Sequence, residues 1–576
     1  MSDYLSGEIN FAGLGNGTDF NELIDGLMKI EKRRVTSLEQ WRSSWEAKVE
    51  QFDELNSKMV SLRSTLTSLD TMNEFLSKNV SSSNSTILSA TATSDAQEAS
   101  HSVVVGNLAT NDVLITTSGA SSLSDSVVTA DSDFTFSYAG TSHTISNISA
   151  GTDLETLVNI INTHPESQQY IRASTVYDGT TYHLQITGRD LGADNQVVIS
   201  NTGSIIFGAG DFDETQGASN AKIRVDGYPN DGTWIERSSN TVSDVIEGIS
   251  LNLKQADPAS TVTIGVNTDT EKIKENVRTV VDKINEVRTM IMALTKVDSS
   301  GGGDEVKGSI LTGNYGVEMI NQNLKNITAS KGLGFQYYDP DTGTGDFYSA
   351  LGQIGITTDT DESSPTFGML TIEETTDDPD KQKFTLDYAL NNNPEAVAKL
   401  FAADNEGSSL SSDFTFDSQL DTTKAGTYDL EVITSGGGIS SATIGGEPCN
   451  ISGWTITCTS GDPKGLAVTL NDRSTVGTIT GEVAIRQGKV GEMVDELTEL
   501  TKPYNHATHE GGTLAILKEN YGDIMDGIDK KIERENERIA RRERMLKNKY
   551  ARLDALLGEL NNQQQALGSQ LAQLAG

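Results

Sequence analysis

The C-terminal segment carries an apolar side chain at every seventh position, and this repeat constrains the fold more than any other feature of the chain. Its members are Met525, Ile532, Ile539, Leu546, Leu553, Leu560, Leu567 and Leu574. A strict seven-residue period indicates a helix that winds against another helix. The second seam of the heptad is polar; it contains Glu535, Arg542, Lys549, Gln563 and Gln570. We therefore predict a C-terminal helix that is weakly stable alone and depends on neighbouring helices.

The N-terminal segment shows a similar pattern, with apolar residues at steps of three and four. These residues are Leu38, Trp41, Trp45, Val49, Phe52, Leu55, Met59, Leu62, Leu66 and Leu69. The spacing is helical and close to heptad. The simplest arrangement pairs the two chain ends in one helical stalk, and the alternative is a set of ordinary bundle helices in a globular core.

The middle of the chain has a different composition, rich in Ser, Thr, Gly, Asn and Asp from about residue 76. Short alternating runs such as residues 101–105 and 261–266 are typical of strands. Residues 134–200 predict strands at 134–138, 171–177 and 182–187 and a helix at 153–162. Residues 273–294 return to heptad spacing and predict another long helix.

These patterns predict an α+β multidomain protein, with a discontinuous helical coiled-coil or bundle stalk from both chain ends and inserted β-rich head domains. We predict five parts: a terminal coiled-coil leg of residues 1–45 and 525–576; a helical stalk bundle of 46–75, 270–330 and 488–524; a β-rich head domain of 76–110, 220–269 and 331–401; an inserted β-rich domain of 111–219; and an additional inserted β domain of 402–487.

The net charge of the chain, -38, is concentrated in its middle. Residues 64–517 hold 25 Lys and Arg against 61 Asp and Glu, whereas the two end segments are nearly neutral. A strongly acidic surface repels phosphate backbones, so we expect no nucleic-acid binding. No apolar run reaches the roughly 20 residues that a membrane span needs. No apolar segment typical of a secretory signal peptide follows Met1, so we expect neither membrane insertion nor such a signal.

The two cysteines, Cys449 and Cys458, flank a segment that reads as a β-hairpin with its turn near Ser452 and Gly453. Two cysteines facing each other across a hairpin can form a disulfide in an oxidising compartment. Two free buried thiols are the alternative, and the spacing does not match a zinc site.

Motifs with catalytic or metal-binding chemistry are weak in this sequence. His506 and His509 lie beside Glu510, but they lack the His-Glu-x-x-His spacing, and two glycines follow. The Asp-rich stretch from Asp339 resembles a calcium loop but has Ala350 where such a loop needs a bidentate Glu. We therefore expect neither an enzyme nor a cofactor or metal site.

Several segments, taken in order, resemble one known family. Residues 10–28 followed by basic 32–34, the strand-like run 103–109, the module 134–200, and the stretches 351–359 and 393–401 are similar to the flagellar filament cap proteins, the flagellar hook-associated protein 2 or FliD family. The resemblance covers about residues 1–400 and 488–576. Residues 402–487, which include both cysteines, depart from the family pattern.

The resemblance implies a structural, secreted protein at the extracellular tip of the bacterial flagellum, which leaves the cell by type III flagellar export. It implies a homo-oligomeric ring, commonly pentameric in the family, that promotes flagellin folding and insertion during filament growth. The implied partners are flagellin, the hook-filament junction protein and a flagellar export chaperone. The expected contact residues for oligomerisation and flagellin are Leu38, Trp41, Trp45, Val49, Phe52, Ile532, Ile539, Leu546, Leu553, Leu560, Leu567 and Leu574.

Two alternatives stay open on sequence alone. One is another flagellar axial protein, either a hook-filament junction protein or a flagellin. The other is an extracellular adhesin whose acidic β domains bind host glycans, and such adhesion is compatible with a cap. The heptad patterns also leave the number of copies in a ring open, because imperfect seams suit several oligomers.

Overall fold

The computed structural model describes residues 20–298, 307–341 and 343–574. These residues belong to two compact units. The first unit combines both end segments, up to residue 71 and from residue 399, with residues 276–389; the second combines residues 72–275 with 390–398. Helices and β-sheets occur in one chain, which confirms the predicted α+β multidomain class. Over the described ranges, every helix is too short or too polar to cross a bilayer.

The described residues form nine α-helices: α1 (Phe20–Thr67), α2 (Met72–Phe75), α3 (Leu154–Thr163), α4 (Thr270–Thr295), α5 (Tyr315–Ala329), α6 (Leu386–Asn392), α7 (Pro394–Ala402), α8 (Lys489–Leu500) and α9 (Thr513–Leu574). The predicted long helices are confirmed as α1, α4 and α9. The heptad residues of α4, from Ile273 to Leu294, are buried, as their spacing predicts.

The second unit contains the first fifteen strands: β1 (Lys78–Ser82), β2 (Leu88–Ala92), β3 (Ala99–Asn107), β4 (Val113–Thr116), β5 (Ser132–Tyr138), β6 (Thr141–Ile148), β7 (Ile171–Tyr177), β8 (Tyr182–Gly188), β9 (Val197–Asn201), β10 (Phe212–Gln216), β11 (Ala221–Val225), β12 (Ile235–Arg237), β13 (Thr241–Ile246), β14 (Ile249–Leu253) and β15 (Asp257–Thr268). A five-stranded sheet, β1-β15-β3-β11-β12, shares one core with a three-stranded sheet, β13-β14-β2.

A second core in this unit lies between the sheets β10-β4-β8-β7 and β6-β5-β9. Helix α3 contributes Leu154, Leu157 and Ile161 to it. The side chain of Asp153 caps α3 by accepting a hydrogen bond from the Thr156 N–H. This arrangement confirms the strands and the helix predicted within residues 134–200.

Both ring nitrogens of His183, on β8 of the second unit, lie within hydrogen-bonding distance of oxygen atoms. Its Nδ1 is 2.6 Å from the carbonyl oxygen of Thr116, and its Nε2 is 3.2 Å from Oδ2 of Asp178. The Thr116 carbonyl, followed by Asp178, raises the pKa of His183. The N–H groups of Thr181 and Thr180, together with His183, lower the pKa of Asp178 to about 2.

We expect His183→Gln to remove a pH-dependent stabilisation of the β7–β8 hairpin. Because the folded pKa lies above the unfolded one, the contribution of His183 is complete below about pH 6.5 and is lost as the pH rises through the folded pKa. Asp178 contributes in the opposite sense, fully above about pH 3.9, and loses its contribution only as the pH falls toward 2. Amide exchange of residues 171–188, corrected for intrinsic rates, should differ between wild type and variant near pH 6 and converge near pH 8.5. A difference that stays constant with pH would contradict the titration of His183.

The first unit contains the remaining strands: β16 (Val297–Asp298), β17 (Lys307–Gly308), β18 (Ile356–Thr358), β19 (Leu370–Ile372), β20 (Glu406–Ser409), β21 (Phe414–Ser418), β22 (Gly426–Ser435), β23 (Gly438–Ile444), β24 (Glu447–Ser452), β25 (Thr455–Cys458), β26 (Ala467–Leu470) and β27 (Gly477–Arg486). Eight of them form an antiparallel sheet in the order β20-β27-β22-β23-β24-β25-β26-β21. Its first and last strands along the chain, β20 and β27, pair directly, with Glu406 opposite Arg486.

Residues 331–389 fall in the first unit, whereas the sequence groups residues 331–401 with the head strands. The side-chain amide of Asn285 on α4 bonds both the N–H and the carbonyl of Leu370, at 2.8 Å each. Arg278 on α4 forms an ion pair with Glu374 at 2.6 Å. The segment is thus attached to α4, a relation that strand-like patterns in a sequence do not reveal. The other predicted domain boundaries stay predictions.

A buried arginine connects α4 to α5 in the first unit. Arg288 is fully buried and has no ion pair among the described residues. Its Nη2 donates to Oγ1 of Thr328 at 2.5 Å, and its Nε has no hydrogen-bond partner. Burial lowers the pKa of Arg288 to about 10, so the side chain stays charged at neutral pH.

The predicted cysteine hairpin is confirmed as strands β24 and β25, with Cys449 directly opposite Cys458. Gly453 occupies the turn with φ +65°, a left-handed conformation that glycine adopts without steric cost. The structure joins the two sulfur atoms in a disulfide. Cys458 lies in the core of the eight-stranded sheet, and Cys449 is packed at its margin.

We expect the protein purified under non-reducing conditions to carry this disulfide. Replacing both cysteines by serine should destabilise the hairpin by about 2–3 kcal/mol, because the bond restricts the unfolded chain over a short loop. Amide exchange of residues 447–458 would measure the loss, and reduction of the wild type with dithiothreitol should reproduce it. Two alkylatable thiols in the folded, non-reduced protein would contradict the bond.

Candidate functional site

The two end helices, α1 and α9, lie antiparallel and in contact along much of α1. Their register is defined by contacts between distant positions of the chain. Phe20 stacks on Tyr550 with ring centroids 5.3 Å apart, and Lys518 pairs with Asp53 at 2.7 Å. The predicted pairing of the two chain ends is therefore present within one chain.

A small apolar cluster joins the two helices near the start of α1. It contains Ile24, Met28, Val35, Ile539 and Leu546, with Ile532 and Tyr550 packed against it. Ile24, Met28 and Val35 recur at steps of four and seven, so they occupy one stripe of α1. The N-terminal repeat predicted from Leu38 onward does not include these three residues, although they show the same helical spacing.

An aromatic cluster follows further along the pair. Tyr521 of α9 contacts Trp45 edge-on at 4.7 Å and Phe52 at 5.3 Å between ring centroids. Burial of the Tyr521 hydroxyl raises its pKa. The indole N–H of Trp45 is buried without a hydrogen-bond partner among the described residues. Large rings therefore fill the contact where the two helices join the rest of the unit.

Exposed ion pairs flank the apolar contacts. Arg42 pairs with Asp529 at 2.8 Å, and hydrogen bonding to that carboxylate raises the pKa of Arg42. Arg538 pairs with Glu31 at 2.8 Å and with Glu535 at 2.7 Å. Pairs of this exposure contribute little stability each, so they mainly define register.

The predicted contact residues divide into those that the chain itself covers and those that are exposed to solvent. Phe52, Ile539 and Leu546 are buried, and Leu38, Trp45, Val49 and Ile532 are half-buried, so contacts within the chain cover most of their surface. Trp41 is 43% exposed, with Nζ of Lys531 5.3 Å from its ring centroid. The side chain of Leu574 lies outside the described residues.

The heptad residues of α9 are buried or half-buried before Tyr550 and exposed beyond it as far as Leu567. Leu553, Leu560 and Leu567 are 41%, 57% and 58% exposed, and Leu556 and Leu571 are exposed beside them. We name these five leucines the distal stripe. Helix α1 is described only from Phe20, opposite Tyr550, so no described residue of α1 lies beside the stripe. The described residues thus present an apolar face about 18 residues long, or roughly 27 Å at the helical rise.

This architecture, in which long end helices pair and β-rich units are inserted between them along the chain, defines a structural assembly protein. The family model described as "Flagellar hook-associated protein 2 N-terminus" matches residues 16–112, and that described as "Flagellar hook-associated protein 2 C-terminus" matches residues 218–562. The chain therefore belongs to the flagellar hook-associated protein 2 family, the FliD proteins of the flagellar filament cap.

Several individual proteins are similar to this chain. The flagellar hook-associated protein 2 of Aquifex aeolicus is 27% identical over 303 residues, which cover 50% of this chain and 66% of that protein. The Escherichia coli K12 protein is 26% identical over 367 residues, covering 61% and 74%. The crystal structure of the flagellar cap protein FliD D1-D2-D3 domains from Escherichia coli is 26% identical, with a TM-score of 0.49, and covers 62% of this chain and 92% of that one.

The family assignment fixes the class and the location of the protein. It is a structural protein of the bacterial flagellum, outside the cell at the tip of the filament, and its family is not one of enzymes. Residues 113–217, with the second core of the second unit, lie between the two matched ranges. Among the residues described, no group of three or more His, Cys, Asp or Glu side chains is placed to hold a metal ion.

Proposed function

We propose that this chain forms a homo-oligomeric ring at the distal tip of the flagellar filament and promotes the folding and insertion of flagellin as the filament grows. The observation that carries the proposal is the distal stripe of α9, because an apolar helix face of this length is typical of a protein contact. Of the predicted contact residues, Trp41, Leu553, Leu560 and Leu567 are exposed and are proposed as parts of this assembly surface, together with Leu574. The buried and half-buried ones, from Leu38 to Leu546, are proposed to hold the two end helices together.

The composition of α9 favours exchangeable contacts. Its second heptad seam is polar except at Ile528 and Leu556, so each leg binds less tightly than a helix with two apolar seams would. A cap must release and rebind as subunits are added beneath it. Contacts of about -8 kcal/mol per leg correspond to a dissociation constant of about 1 μM, which permits exchange. Several legs per ring keep the cap attached while one leg moves.

A deletion strain would test this function. Cells that lack the chain should secrete unpolymerised flagellin and carry few filaments, and expression of the wild-type chain should restore filament growth. Native mass measurement of the purified protein would give the number of copies in the ring. Normal filaments in the deletion strain would contradict the proposal.

Two further roles are proposed, the first from the resemblance and the second from the acidic composition of the β-rich regions. The hook-filament junction protein and an export chaperone are proposed as additional partners. Adhesion to host glycans is proposed for the acidic β-rich regions, and a glycan array with the full chain and with a chain lacking residues 402–487 would test it.

A further inference from the structure

A basic collar surrounds the paired end helices in a chain whose net charge is -38. We define the collar as residues 29–34 of α1 and residues 530–552 of α9. The α1 part holds four basic residues and one acidic residue, and the α9 part holds ten basic and four acidic residues. The Glu31–Arg538 and Arg34–Glu535 pairs, at 2.8 and 3.3 Å, place the two parts side by side.

Much of the positive charge of the collar is available to a partner. Lys32, Arg33, Arg534 and Arg542 are exposed and form no ion pair within the part of the chain that the structure describes. Exposed basic residues like these ordinarily form a helix face that contacts only solvent. The collar differs from an ordinary face because exposed apolar residues adjoin it.

These apolar neighbours lie on both helices. On α1, Leu23, Leu27 and Ile30 form a stripe beside the buried one and are 50%, 39% and 60% exposed. On α9, Met545 lies within the collar and is exposed, and the distal stripe begins at Leu553, directly after the collar. The surface therefore combines apolar contact area with flanking positive charge.

The sign of the charge decides which partner fits. Under the proposed function, neighbouring copies present collars of the same sign, and like charges closer than a Debye length of about 10 Å repel each other. A second copy of the collar is therefore a poor occupant. A helix with an apolar stripe and flanking Asp or Glu residues is complementary to this surface: its stripe matches the exposed apolar residues, and its carboxylates match the basic ones.

We infer that the basic collar seats an acidic, apolar-striped helix of the axial protein beneath the cap. This inference rests on the proposed function, under which that protein is flagellin. The bound acidic helix lies between neighbouring legs and screens their mutual repulsion. Attachment of the cap is then sensitive to salt, because exposed charge pairs weaken as ionic strength rises.

A matched pair of charge variants tests the inference. The collar variant carries Lys32→Gln, Arg33→Gln, Arg534→Gln and Arg542→Gln. The control variant carries Arg172→Gln, Lys296→Gln, Lys331→Gln and Lys464→Gln, which are exposed positions outside the collar. Both variants lose the same charge. Binding of each full chain to sheared filaments of the bacterium's own flagellin would be measured at about 50 mM and about 500 mM salt.

We expect the collar variant to bind at least tenfold more weakly than the control at low salt and to lose most of the salt dependence. Equal binding by the two variants would overturn the inference and leave the proposed function intact. Absence of binding by the wild type at either salt concentration would refute the proposed function and the inference together. Collar-dependent binding to vesicles of anionic phospholipid, with collar-independent binding to flagellin, would overturn the inference in favour of a lipid surface.

Discussion

Aspartate at both Leu553 and Leu560 is expected to abolish filament growth while leaving both folded units intact. The two leucines are 41% and 57% exposed in the single chain, so the substitutions remove little intrachain packing. On assembly, burial of each leucine would contribute roughly 1.5–3 kcal/mol, and a buried unpaired carboxylate would cost more. Filament counts by electron microscopy and unpolymerised flagellin in the medium would measure the effect in a complemented deletion strain.

The matched control for this variant carries aspartate at Ala555 and Asn562. Each lies two residues after a substituted leucine, and so on nearly the opposite face of α9. The control introduces the same charge into an exposed face, and we expect normal filaments. Normal filaments with Leu553→Asp and Leu560→Asp would contradict the role of the distal stripe in assembly. A lowered melting temperature of the purified double variant would show instead that the stripe is packed within the chain.

Methionine in place of Arg288 is expected to stabilise the first unit. The burial that lowers the pKa of Arg288 to about 10 disfavours its charged form by roughly 3 kcal/mol, and no described carboxylate offsets this cost. Methionine fills a similar elongated volume without charge, and replacement of a buried ion by a well-packed apolar residue is neutral or stabilising by about 1–4 kcal/mol. Alanine would instead leave a cavity and cost about 2–4 kcal/mol.

Urea unfolding, followed by a probe in the first unit, would compare Arg288→Met, Arg288→Ala and the wild type. Arg541→Met, at an exposed position on α9, controls for the general effect of removing a positive charge. A less stable Arg288→Met protein would show that the hydrogen bonds from the guanidinium to Thr328 and its neighbours outweigh the cost of burying the charge.

The sequence predicted the long helices α1, α4 and α9 well because their apolar periods are long and regular, whereas the short helices α6 and α7 lie in a stretch predicted as β-rich. The buried heptad residues of α4 and the single stripe of α9 follow directly from spacing. Strands β6 and β9 were missed because β6 (Thr141–Ile148) is mostly polar and β9 is only five residues long. A short strand is stabilised mainly by the strand with which it pairs, and that partner lies outside the few residues from which a local pattern is read.

The candidate site was only partly visible for a related physical reason. A heptad repeat states that a helix face seeks a partner, but it does not state whether that partner belongs to the same chain. Ile539 and Leu553 occupy equivalent positions in the repeat, yet one is buried against α1 and the other is exposed. The buried charge at Arg288 was likewise hidden, because a single arginine in a helical pattern reads as a solvent-exposed position.

Strands β20 and β27 pair directly, so the two ends of the eight-stranded sheet's sequence connect to the rest of the chain side by side. Glu406 and Arg486 stand opposite each other, so the polypeptide enters and leaves the sheet at almost one point. An inserted segment with adjacent ends can grow, shrink or be exchanged for another without displacing the helices on either side. The hairpins of residues 402–487 far from this edge can therefore change in length, while Arg486 keeps its ion pair with Asp346 at 2.8 Å and anchors the sheet beside α8.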